Sequence, residues 1–338
     1  MRIAFFDTHR FEREHFERGN RAHGHELVWF DARLTRTTAA LARGSPSVCC
    51  FVNDRLDDAA LDALVEGGTR LVALRSAGYN HVDLLAAERL GLVVVRVPEY
   101  SPHAVAEHAV ALVLALDRKI HRAHARVREG NFSLEGLVGF DLFGKAVGLV
   151  GTGRIGRAAA QIFAGFGCRV LAHDVAPDAE LSRDARVRYL PLDALYAEAD
   201  IVSLHVPLTP ATRHMVDAAA LARMKRGVML VNTSRGALID TRALIDGLKS
   251  GHVGYAGLDV YEEEEGVFFR DLSDIVLQDD VLARLMTFPN VVITAHQAFL
   301  TREALTNIAA VTLENVSAFE QGRPLDNQVS AADLRRGL

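Results

Sequence analysis

The chain has 338 residues, of which 49% are hydrophobic and 24% are charged. That length suits two domains, and the composition is typical of a folded globular protein rather than of a disordered or fibrous chain. The 38 basic and 43 acidic residues leave a net charge of −5, which gives no electrostatic reason to expect nucleic acid or a membrane surface as a partner.

The cysteines and the apolar runs indicate a protein of the cytoplasm. Cys49, Cys50 and Cys168 include no Cys-x-x-Cys pair, and isolated thiols of this kind are typical of a reducing compartment. The longest wholly apolar run, 109–116, is much shorter than the roughly 20 residues of a membrane span. Charged residues appear too early at the N-terminus for a secretory signal peptide.

Apolar runs of strand length alternate with helix-length segments along the whole chain. The runs are almost continuously apolar, which is the pattern of strands buried on both faces of a parallel sheet. The predicted strands are 2–7, 26–31, 47–52, 70–74, 92–97, 146–150, 169–174, 201–206, 228–232, 255–259 and 291–294. Helical patterns between them, such as 57–66 and 157–166, predict right-handed βαβ units and an α/β fold.

A long helix predicted for residues 104–128 separates the two sets of strands. This segment contains neither Gly nor Pro and ends in basic residues, which suit a helix C-terminus. A second helix is predicted for 301–320, close to the end of the chain. Together the two helices indicate a discontinuous first domain with a second domain inserted into it. The predicted domains are 1–100 with 298–338, and 101–297.

A glycine-rich turn at 151–156 joins a predicted strand to a predicted helix. Gly151 permits a tight turn, Gly153 allows a pyrophosphate to approach the backbone, and Gly156 allows close packing of the helix. Free N–H groups at the helix start favour phosphate, although the motif alone also occurs as a purely structural turn. Asp174 ends the next strand, where its carboxylate suits ribose hydroxyls and repels a ribose phosphate. This context predicts a Rossmann domain that binds NAD rather than NADP.

No metal cofactor is predicted. The sequence contains no His-Glu-x-x-His zinc motif. The histidine pairs His23/His25 and His121/His124 have no third ligand near them in the sequence, so we predict that they are surface residues.

Four polar residues follow predicted strands of the second domain. They are Arg235, Asp259, Glu264 and His296. Because ligands of parallel sheets bind at the carboxyl ends of the strands, these side chains are expected to face one crevice. An arginine can bind a carboxylate through two hydrogen bonds, and a histidine beside a carboxylate can hold and release a proton. Each residue alone is more often a surface or loop residue, and only their joint placement favours catalysis.

Five segments resemble the family of NAD-dependent D-2-hydroxyacid dehydrogenases, and within it the fermentative D-lactate dehydrogenases. They are RSAGYNHVD at 75–83, YSPHAVAEH at 100–108, VNTSRGALID at 231–240, LDVYEEE at 258–264 and HQAFLT at 296–301. The resemblance covers nearly the whole chain. It implies two Rossmann-like or flavodoxin-like domains with parallel sheets, of which the first binds substrate and the second NAD, and an active-site cleft between the domains.

The resemblance also implies roles for single residues. Arg235 would bind the substrate carboxylate, His296 would protonate the substrate carbonyl, and Glu264 would orient His296. The implied further substrate contacts are Phe51, Ala77, Gly78, Tyr100 and Phe299. The implied cofactor contacts are Gly151, Gly153, Arg154, Ile155, Gly156, Asp174, His205, Val206, Pro207, Thr212, Thr233, Ser234, Arg235, Asp259 and His296. Ala295 departs from the family pattern, in which glycine often precedes the histidine.

The activity implied is that of a D-lactate dehydrogenase, which reversibly reduces pyruvate to D-lactate with NADH. Two alternatives stay open. One is a related enzyme for phenylpyruvate, 2-oxoisocaproate or glyoxylate, and the other is a corepressor-like protein that senses NAD(H). The apolar face of the long helix, which includes Val105, Val110 and Leu114, predicts a homodimer or homotetramer. A small 2-oxoacid or 2-hydroxyacid is the other expected partner.

Overall fold

The computed structural model of the protein describes residues 1–336. Its strands are β1 (Arg2–Phe5), β2 (Glu26–Trp29), β3 (Ser47–Cys50), β4 (Leu71–Leu74), β5 (Val93–Val95), β6 (Ala146–Val150), β7 (Arg169–His173), β8 (Val187–Tyr189), β9 (Ile201–Leu204), β10 (Val228–Asn232), β11 (Val253–Leu258), β12 (Val291–Ile293) and β13 (Gln328–Val329). Its helices are α1 (Arg10–Asn20), α2 (Asp58–Glu66), α3 (Leu84–Arg89), α4 (Pro102–Asp117), α5 (Ile120–Arg128), α6 (Arg154–Gly165), α7 (Leu192–Glu198), α8 (Ala218–Arg223), α9 (Thr241–Lys249), α10 (Asp280–Met286), α11 (Arg302–Glu320) and α12 (Ala331–Arg336).

Backbone contacts divide the chain into two compact units. The first unit is Met1–Ser101 together with the chain from Leu300 onward, and the second is Pro102–Phe299. Gly337 and Leu338, which end the predicted first domain, lie outside the described residues. Every strand predicted from the sequence overlaps an observed strand. The continuous apolar pattern has a simple cause, since all residues of β3, β4, β6, β9 and β10 are buried.

The sheet of the first unit has the order β13-β5-β4-β3-β1-β2. Strands β1 to β5 are parallel and have the flavodoxin-like order. The order in which the chain adds strands reverses between β1 and β3. The edge strand β13 runs antiparallel to β5, where Gln328 pairs with Val95 and Val329 with Val94. The sequence pattern missed β13 because two residues carry no periodicity.

The sheet of the second unit has the order β12-β11-β10-β9-β6-β7-β8, and all its strands are parallel. Strands β6 to β11 have the order of the Rossmann fold, and β12 is one further strand at the edge beside β11. The switch point lies between β6 and β9. The carboxyl ends of these two strands lead into Gly151 and His205, so the glycine turn lies where such sheets bind their ligands.

The single long helix predicted for residues 104–128 is wrong. The helix ends at Asp117, Lys119 adopts a left-handed conformation with a φ of 50°, and α5 begins at Ile120. The buried Asp117 side chain accepts a hydrogen bond of 2.6 Å from the N–H of Phe140. This distant segment therefore packs against the end of α4. Such a tertiary contact leaves no periodic signal in the sequence.

Most of the apolar face of α4 is covered within the chain itself. Val105 and Val110 are only 4% and 5% exposed, and Val110 and Leu114 pack into a core with residues of α6 and β6. The face that predicted self-association therefore contributes to the interior of the protomer. Leu114 is only half-buried, and the homodimer or homotetramer predicted from this face stays a prediction.

The predicted surface position of His25 is also wrong, since the residue is 6% exposed. Its Nε2 lies 2.9 Å from Oγ of Ser317 on α11, and its Nδ1 lies 3.2 Å from the N-terminal amine. Within residues 1–336, no cluster of three His, Cys, Asp or Glu side chains is arranged to hold a metal ion. No helix in this part of the chain has the length and apolarity needed to cross a membrane.

Candidate active site

The glycine turn after β6 has three glycines with three different surroundings. Gly151 has a φ of 95°, and a Cβ there would lie 2.7 Å from the carbonyl carbon of His205. A Cβ at Gly156 would lie 2.0 Å from the carbonyl oxygen of Gly151, so a side chain is excluded there too. A Cβ at Gly153 would meet only open space. Gly153 directly precedes α6, whose first residues are Arg154 and Ile155. The exposed backbone and helix start therefore suit a pyrophosphate.

Asp174 follows β7 beside this turn. Its Oδ2 accepts hydrogen bonds from the N–H of Thr152 at 2.6 Å and from the Thr152 hydroxyl at 3.0 Å, and its Oδ1 accepts one from Ala176. Burial alone would raise the pKa of Asp174, but the N–H groups of Ala176 and Thr152 hold it below its ordinary value. The side chain is therefore an anion at neutral pH, in the position where ribose hydroxyls bind in such folds.

Further predicted cofactor residues follow β9 and β10. His205 donates its N–H to Val150, and its Nε2 lies 2.9 Å from Oγ of Ser203. Burial lowers the pKa of His205 to about 4, so its imidazole is neutral. After His205 come Val206, Pro207 and Thr212, and the Thr212 hydroxyl donates to the Pro207 carbonyl at 2.7 Å.

Two hydroxyl residues follow β10 at the same edge of the sheet. Ser234 donates its hydroxyl to the Leu204 carbonyl at 3.0 Å. The Thr233 hydroxyl is buried and has no protein hydrogen-bond partner within residues 1–336. A buried hydroxyl of this kind suits a polar group of a bound cofactor.

Arg235 comes next along the chain. Its Nη1 donates to the Ser234 carbonyl at 2.7 Å, and its own carbonyl accepts a hydrogen bond from Nδ2 of Asn232. A Cβ at Gly236 would lie 2.0 Å from the carbonyl carbon of Tyr261. The chain after β10 therefore lies tightly against the segment after β11, and this contact requires glycine at position 236.

His296 and Glu264 are in direct contact. Nδ1 of His296 lies 2.9 Å from Oε1 of Glu264, and their side chains are 14% and 19% exposed. The rings of Phe269 and Phe299 lie 5.8 Å and 6.5 Å from the His296 ring. The structure thus brings a histidine, a carboxylate and two aromatic rings together, and leaves the second imidazole nitrogen for another partner.

Two consecutive non-glycine residues here have left-handed backbones. The φ values are 51° at Ala295 and 62° at His296, and such a conformation costs an L-residue roughly 1–2 kcal/mol. Hydrogen bonds to Asp259 hold the turn. The Asp259 carbonyl accepts the N–H of His296 at 2.5 Å, and its carboxylate accepts the N–H groups of Gln297 and Ala298. Strain kept in place by its surroundings is common at functional sites.

The sequence reasoning missed two side chains of this network, His108 on α4 and Thr294. Asp259 is fully buried, and its Oδ1 accepts a hydrogen bond of 2.7 Å from the Thr294 hydroxyl, while Nε2 of His108 lies 2.9 Å from the same hydroxyl. Burial alone would raise the pKa of Asp259, but hydrogen bonds from His108 and Thr294 and the charge of His296 hold it below its ordinary value. The available signal was the segment YSPHAVAEH, which contains His108.

The predicted substrate residues of the first unit lie after β3, β4 and β5. The Ala77 carbonyl accepts from Arg96 at 2.8 Å, the Gly78 carbonyl from the Ser76 hydroxyl at 2.7 Å, and the Tyr100 carbonyl from Nδ2 of Asn307 at 2.7 Å. These bonds involve carbonyl oxygens only. The ring of Phe51 is buried, with the guanidinium carbon of Arg75 4.9 Å from its centre.

Comparison with known proteins identifies the family. Residues 110–298 match the family described as D-isomer specific 2-hydroxyacid dehydrogenase, NAD binding domain. The chain is 52% identical over 320 residues to 2-hydroxyacid dehydrogenase homolog 1 of Schizosaccharomyces pombe, a match that covers 94% of this chain and 96% of the relative. It is 49% identical over 329 residues to D-lactate dehydrogenase of Escherichia coli, covering 97% and 100% of the two chains.

The chain belongs to the D-2-hydroxyacid dehydrogenase family. Among solved structures, the apo form of D-lactate dehydrogenase from Escherichia coli superposes with a TM-score of 0.89 at 47% identity, covering 97% of this chain and 100% of that one. The dehydrogenase is therefore an NAD-dependent oxidoreductase with the two-domain Rossmann-like architecture of its relatives. The predictions of family, fold class and cofactor are confirmed.

Proposed function

We propose that this dehydrogenase is a D-lactate dehydrogenase that reduces pyruvate to D-lactate. The observation that carries the proposal is the contact of His296 with Glu264 at 2.9 Å, in the unit that contains the NAD-binding turn. A carboxylate beside an imidazole stabilises its protonated form, which a reductase needs as a proton donor. The identity of 49% to a D-lactate dehydrogenase over 97% of the chain supports pyruvate as the substrate.

The proposed reaction uses three side chains of the second unit. Arg235 binds the carboxylate of pyruvate through paired hydrogen bonds and so orients the carbonyl group. NADH, when bound, supplies the hydride that adds to the carbonyl carbon. Nε2 of His296 donates its proton to the carbonyl oxygen, which becomes the hydroxyl of D-lactate. Glu264 stabilises the imidazolium before this transfer, and the neutral His296 then regains a proton from water.

We also propose further substrate contacts. The N–H groups of Ala77 and Gly78 are assigned to the substrate carboxylate, and the Tyr100 hydroxyl is assigned beside them. The carbonyl oxygens of Ala77 and Gly78 already have protein donors, so only the N–H groups of these two residues are assigned to the ligand. Phe51 and Phe299 are assigned to the wall beside the methyl group of pyruvate.

The proposed cofactor site consists of the glycine turn, the start of α6 and the segments after β7, β9, β10, β11 and β12. Its assigned residues are Gly151, Gly153, Arg154, Ile155, Gly156, Asp174, His205, Val206, Pro207, Thr212, Thr233, Ser234, Arg235, Asp259 and His296. The open space at Gly153 and the buried hydroxyl of Thr233 support this assignment.

The test is oxidation of NADH by the purified enzyme, followed by absorbance with pyruvate, phenylpyruvate, 2-oxoisocaproate and glyoxylate. Fastest turnover with pyruvate, and formation of D-lactate but not L-lactate, is the expected result. A preference for another oxoacid would keep the mechanism and replace the substrate. Tight binding of NADH without turnover of any oxoacid would overturn the proposal and favour a protein that senses NAD(H).

We further propose that the dehydrogenase is a homodimer or homotetramer of the cytoplasm. Four apolar side chains between α5 and β6 are 74–84% exposed, namely Phe132, Leu134, Val138 and Phe143. Exposed apolar side chains grouped in one segment favour burial against another protein surface. Light scattering is the test, and a monomer at micromolar concentration would contradict it. The three cysteines are free and buried, a state that suits a reducing compartment.

A further inference from the structure

Helix α4 crosses β11 unusually closely. A Cβ at Gly257 would lie 3.1 Å from Cβ of Leu112 and 3.2 Å from Cδ1 of Leu116. The missing side chain therefore allows the helix to lie directly on the strand. His108 is one turn before Leu112 on the same face of the helix, and Asp259 is two residues beyond Gly257 on the same face of the sheet. The close crossing thus brings His108 to Asp259.

The hydrogen-bond donors and acceptors of this contact can be assigned from its chemistry. Asp259 is ionised and can only accept, so the Thr294 hydroxyl donates its single proton to Oδ1 of Asp259 at 2.7 Å. The Thr294 oxygen can then only accept from Nε2 of His108 at 2.9 Å. His108 therefore carries a proton on Nε2. The order of donation is His108 to Thr294 to Asp259, and Nε2 of His108 also lies 3.4 Å from Oδ1 of Asp259 itself.

The carboxylate of Asp259 forms hydrogen bonds on both sides of His296, within the catalytic turn at residues 294–298. Its Oδ1 accepts from Thr294 before the left-handed pair and from the N–H of Gln297 after it, and its Oδ2 accepts from the N–H of Ala298. His296 lies between these anchors and reaches Glu264 from there. Loss of the Thr294 hydroxyl removes the side-chain anchor on one side of His296, where the N–H of Thr294 still donates to the Leu258 carbonyl at 3.0 Å.

We propose that His108 is a positioning residue for proton transfer, because its Nε2–H fixes Thr294 on Asp259 and so holds His296 against Glu264. His108 has no role in the family pattern from which the catalytic residues were assigned, and it acts here through Thr294 and Asp259 rather than on the substrate. The proposal rests on the proposed reductase activity, since it assigns His296 as the proton donor.

The test compares two substitutions at one position. His108→Leu keeps most of the volume and removes the donor, whereas His108→Gln keeps an N–H donor near the position of Nε2. We expect kcat for pyruvate to fall about 10-fold in His108→Leu, a loss typical of residues that orient a reacting group. We expect His108→Gln to stay within about 3-fold of the unaltered enzyme. Binding of NADH, measured by fluorescence, is expected to change less than about 2-fold in both.

The pH profile separates positioning from a merely structural role. In His108→Leu the imidazolium loses part of its contact with Glu264, so the pH above which kcat declines is expected to move lower. The exposed His124 on α5 provides the matched control, and His124→Leu should leave kcat and the profile unchanged. An unaltered profile in His108→Leu, or equal losses in the Leu and Gln variants, would overturn the proposal.

A second substitution tests the order of donation. Thr294→Val keeps the shape of the side chain and removes the hydroxyl, so it should reproduce the loss in His108→Leu. Because both residues belong to one hydrogen-bond chain, the double variant should lose no more than either single variant. Additive losses would show that His108 and Thr294 act separately, and this result would overturn the proposed order of donation.

Amide hydrogen exchange gives a measurement that needs no turnover. The N–H groups of Gln297 and Ala298 are bonded to Asp259, and they should exchange faster in His108→Leu than in His108→Gln. This comparison remains valid if the unaltered enzyme reduces none of the oxoacids, a result that would overturn the proposed function alone. Equal exchange in the two variants would overturn the role of His108.

Discussion

Glu264 accepts a hydrogen bond from Nδ1 of His296 across 32 residues of sequence, at a distance of 2.9 Å. Both side chains are mostly buried, so water screens their interaction less than it would at the surface. A carboxylate in this position stabilises an imidazolium more than a neutral imidazole. Because this contact occupies Nδ1, Nε2 is the nitrogen of the His296 ring that is left for a substrate.

Glu264→Gln should shift the activity toward acid pH. The amide keeps the size of the side chain and an oxygen acceptor but loses the charge that favours the imidazolium. We expect kcat for pyruvate at pH 8 to fall roughly 10- to 100-fold, within the range for a perturbed general acid. The loss at pH 6 should be smaller, since protons are more abundant there. The measurement is kcat at saturating NADH and pyruvate from pH 5.5 to 9.

Glu263→Gln is the control for this experiment. Glu263 is the exposed neighbour in the same acidic segment, so its substitution changes the net charge equally without touching His296. Its pH profile should match that of the unaltered enzyme. Identical profiles for the Glu264 and Glu263 variants would contradict the assigned role of Glu264.

The sequence was sufficient to predict which strands carry the candidate catalytic residues. Arg235, Asp259 and His296 follow β10, β11 and β12, and these three strands are neighbours in the sheet. A parallel sheet aligns the carboxyl ends of its strands, so residues far apart in sequence meet at one edge. The contact of Glu264 with His296 follows from this alignment together with the family resemblance.

The network behind the catalytic turn could not be predicted in the same way. The contact of His108 with Thr294 depends on which face of α4 crosses β11 and how closely. Hydrophobic periodicity shows that a helix has a buried face but not which strand that face meets. The break between α4 and α5 was missed for the same reason, because it depends on the contact of Asp117 with Phe140.

Asp174→Asn should weaken the preference for NADH over NADPH. The carboxylate repels the additional phosphate of NADPH, and specificity is a difference between two affinities. We expect NADH binding to weaken about 10-fold, the loss of roughly one charge-assisted hydrogen bond. NADPH binding should weaken less or improve. The measurement is fluorescence titration of the enzyme with each cofactor.

Asp193, another carboxylate of the second unit, is the control for Asp174. Asp193 lies in the first turn of α7, and its side chain is 67% exposed. Asp193→Asn should leave the ratio of the two affinities unchanged. If Asp174→Asn also left the ratio unchanged, the carboxylate would not be the residue that discriminates between the cofactors.

Ala295→Gly should stabilise the fold of the second unit. The left-handed backbone at Ala295, with a φ of 51°, is strained for alanine and accessible to glycine. Relief of roughly 1–2 kcal/mol is offset by about 0.5–1 kcal/mol for the added freedom of glycine in the unfolded chain. We expect a net gain of about 0.5 kcal/mol in the free energy of unfolding. The measurement is thermal unfolding.

An alanine-to-glycine substitution is expected to lower stability where the backbone is helical. Ala219 is exposed and lies within α8, so Ala219→Gly should cost about 0.5–1 kcal/mol. A loss of similar size in Ala295→Gly would mean that the hydrogen bonds to Asp259 relieve the strain at residue 295 completely.

Asp54→Asn should remove a pH dependence of stability from the first unit. Asp54 is buried, and its two oxygens accept hydrogen bonds of 2.6 Å from the N–H groups of Leu34 and Phe51. Burial raises the pKa of Asp54 to about 7, although the nearby Arg75 charge and the two N–H donors oppose this. The folded protein therefore keeps a proton that the unfolded chain has lost between about pH 4 and pH 7.

The sign of the effect follows from this difference in bound protons. The contribution of Asp54 to stability is fully present below about pH 4, and it is lost as the pH rises to about 7, at about 1.4 kcal/mol per pH unit. Above pH 7 both states are ionised and the slope ends. The asparagine variant has no such slope, so its stability relative to the unaltered protein should rise between pH 5 and pH 7 and then stay constant.

The single tryptophan makes this measurement specific to the first unit. Trp29 lies on β2, where its ring packs against Phe5 at 4.3 Å, so its fluorescence reports unfolding of the unit that contains Asp54. Urea unfolding at pH 5, 6, 7 and 8 gives the free energy of this transition for each variant. Asp62→Asn on the exposed side of α2 is the control and should parallel the unaltered protein at every pH. Parallel curves for Asp54→Asn as well would mean that Asp54 is ionised throughout, held by its two N–H donors despite its burial.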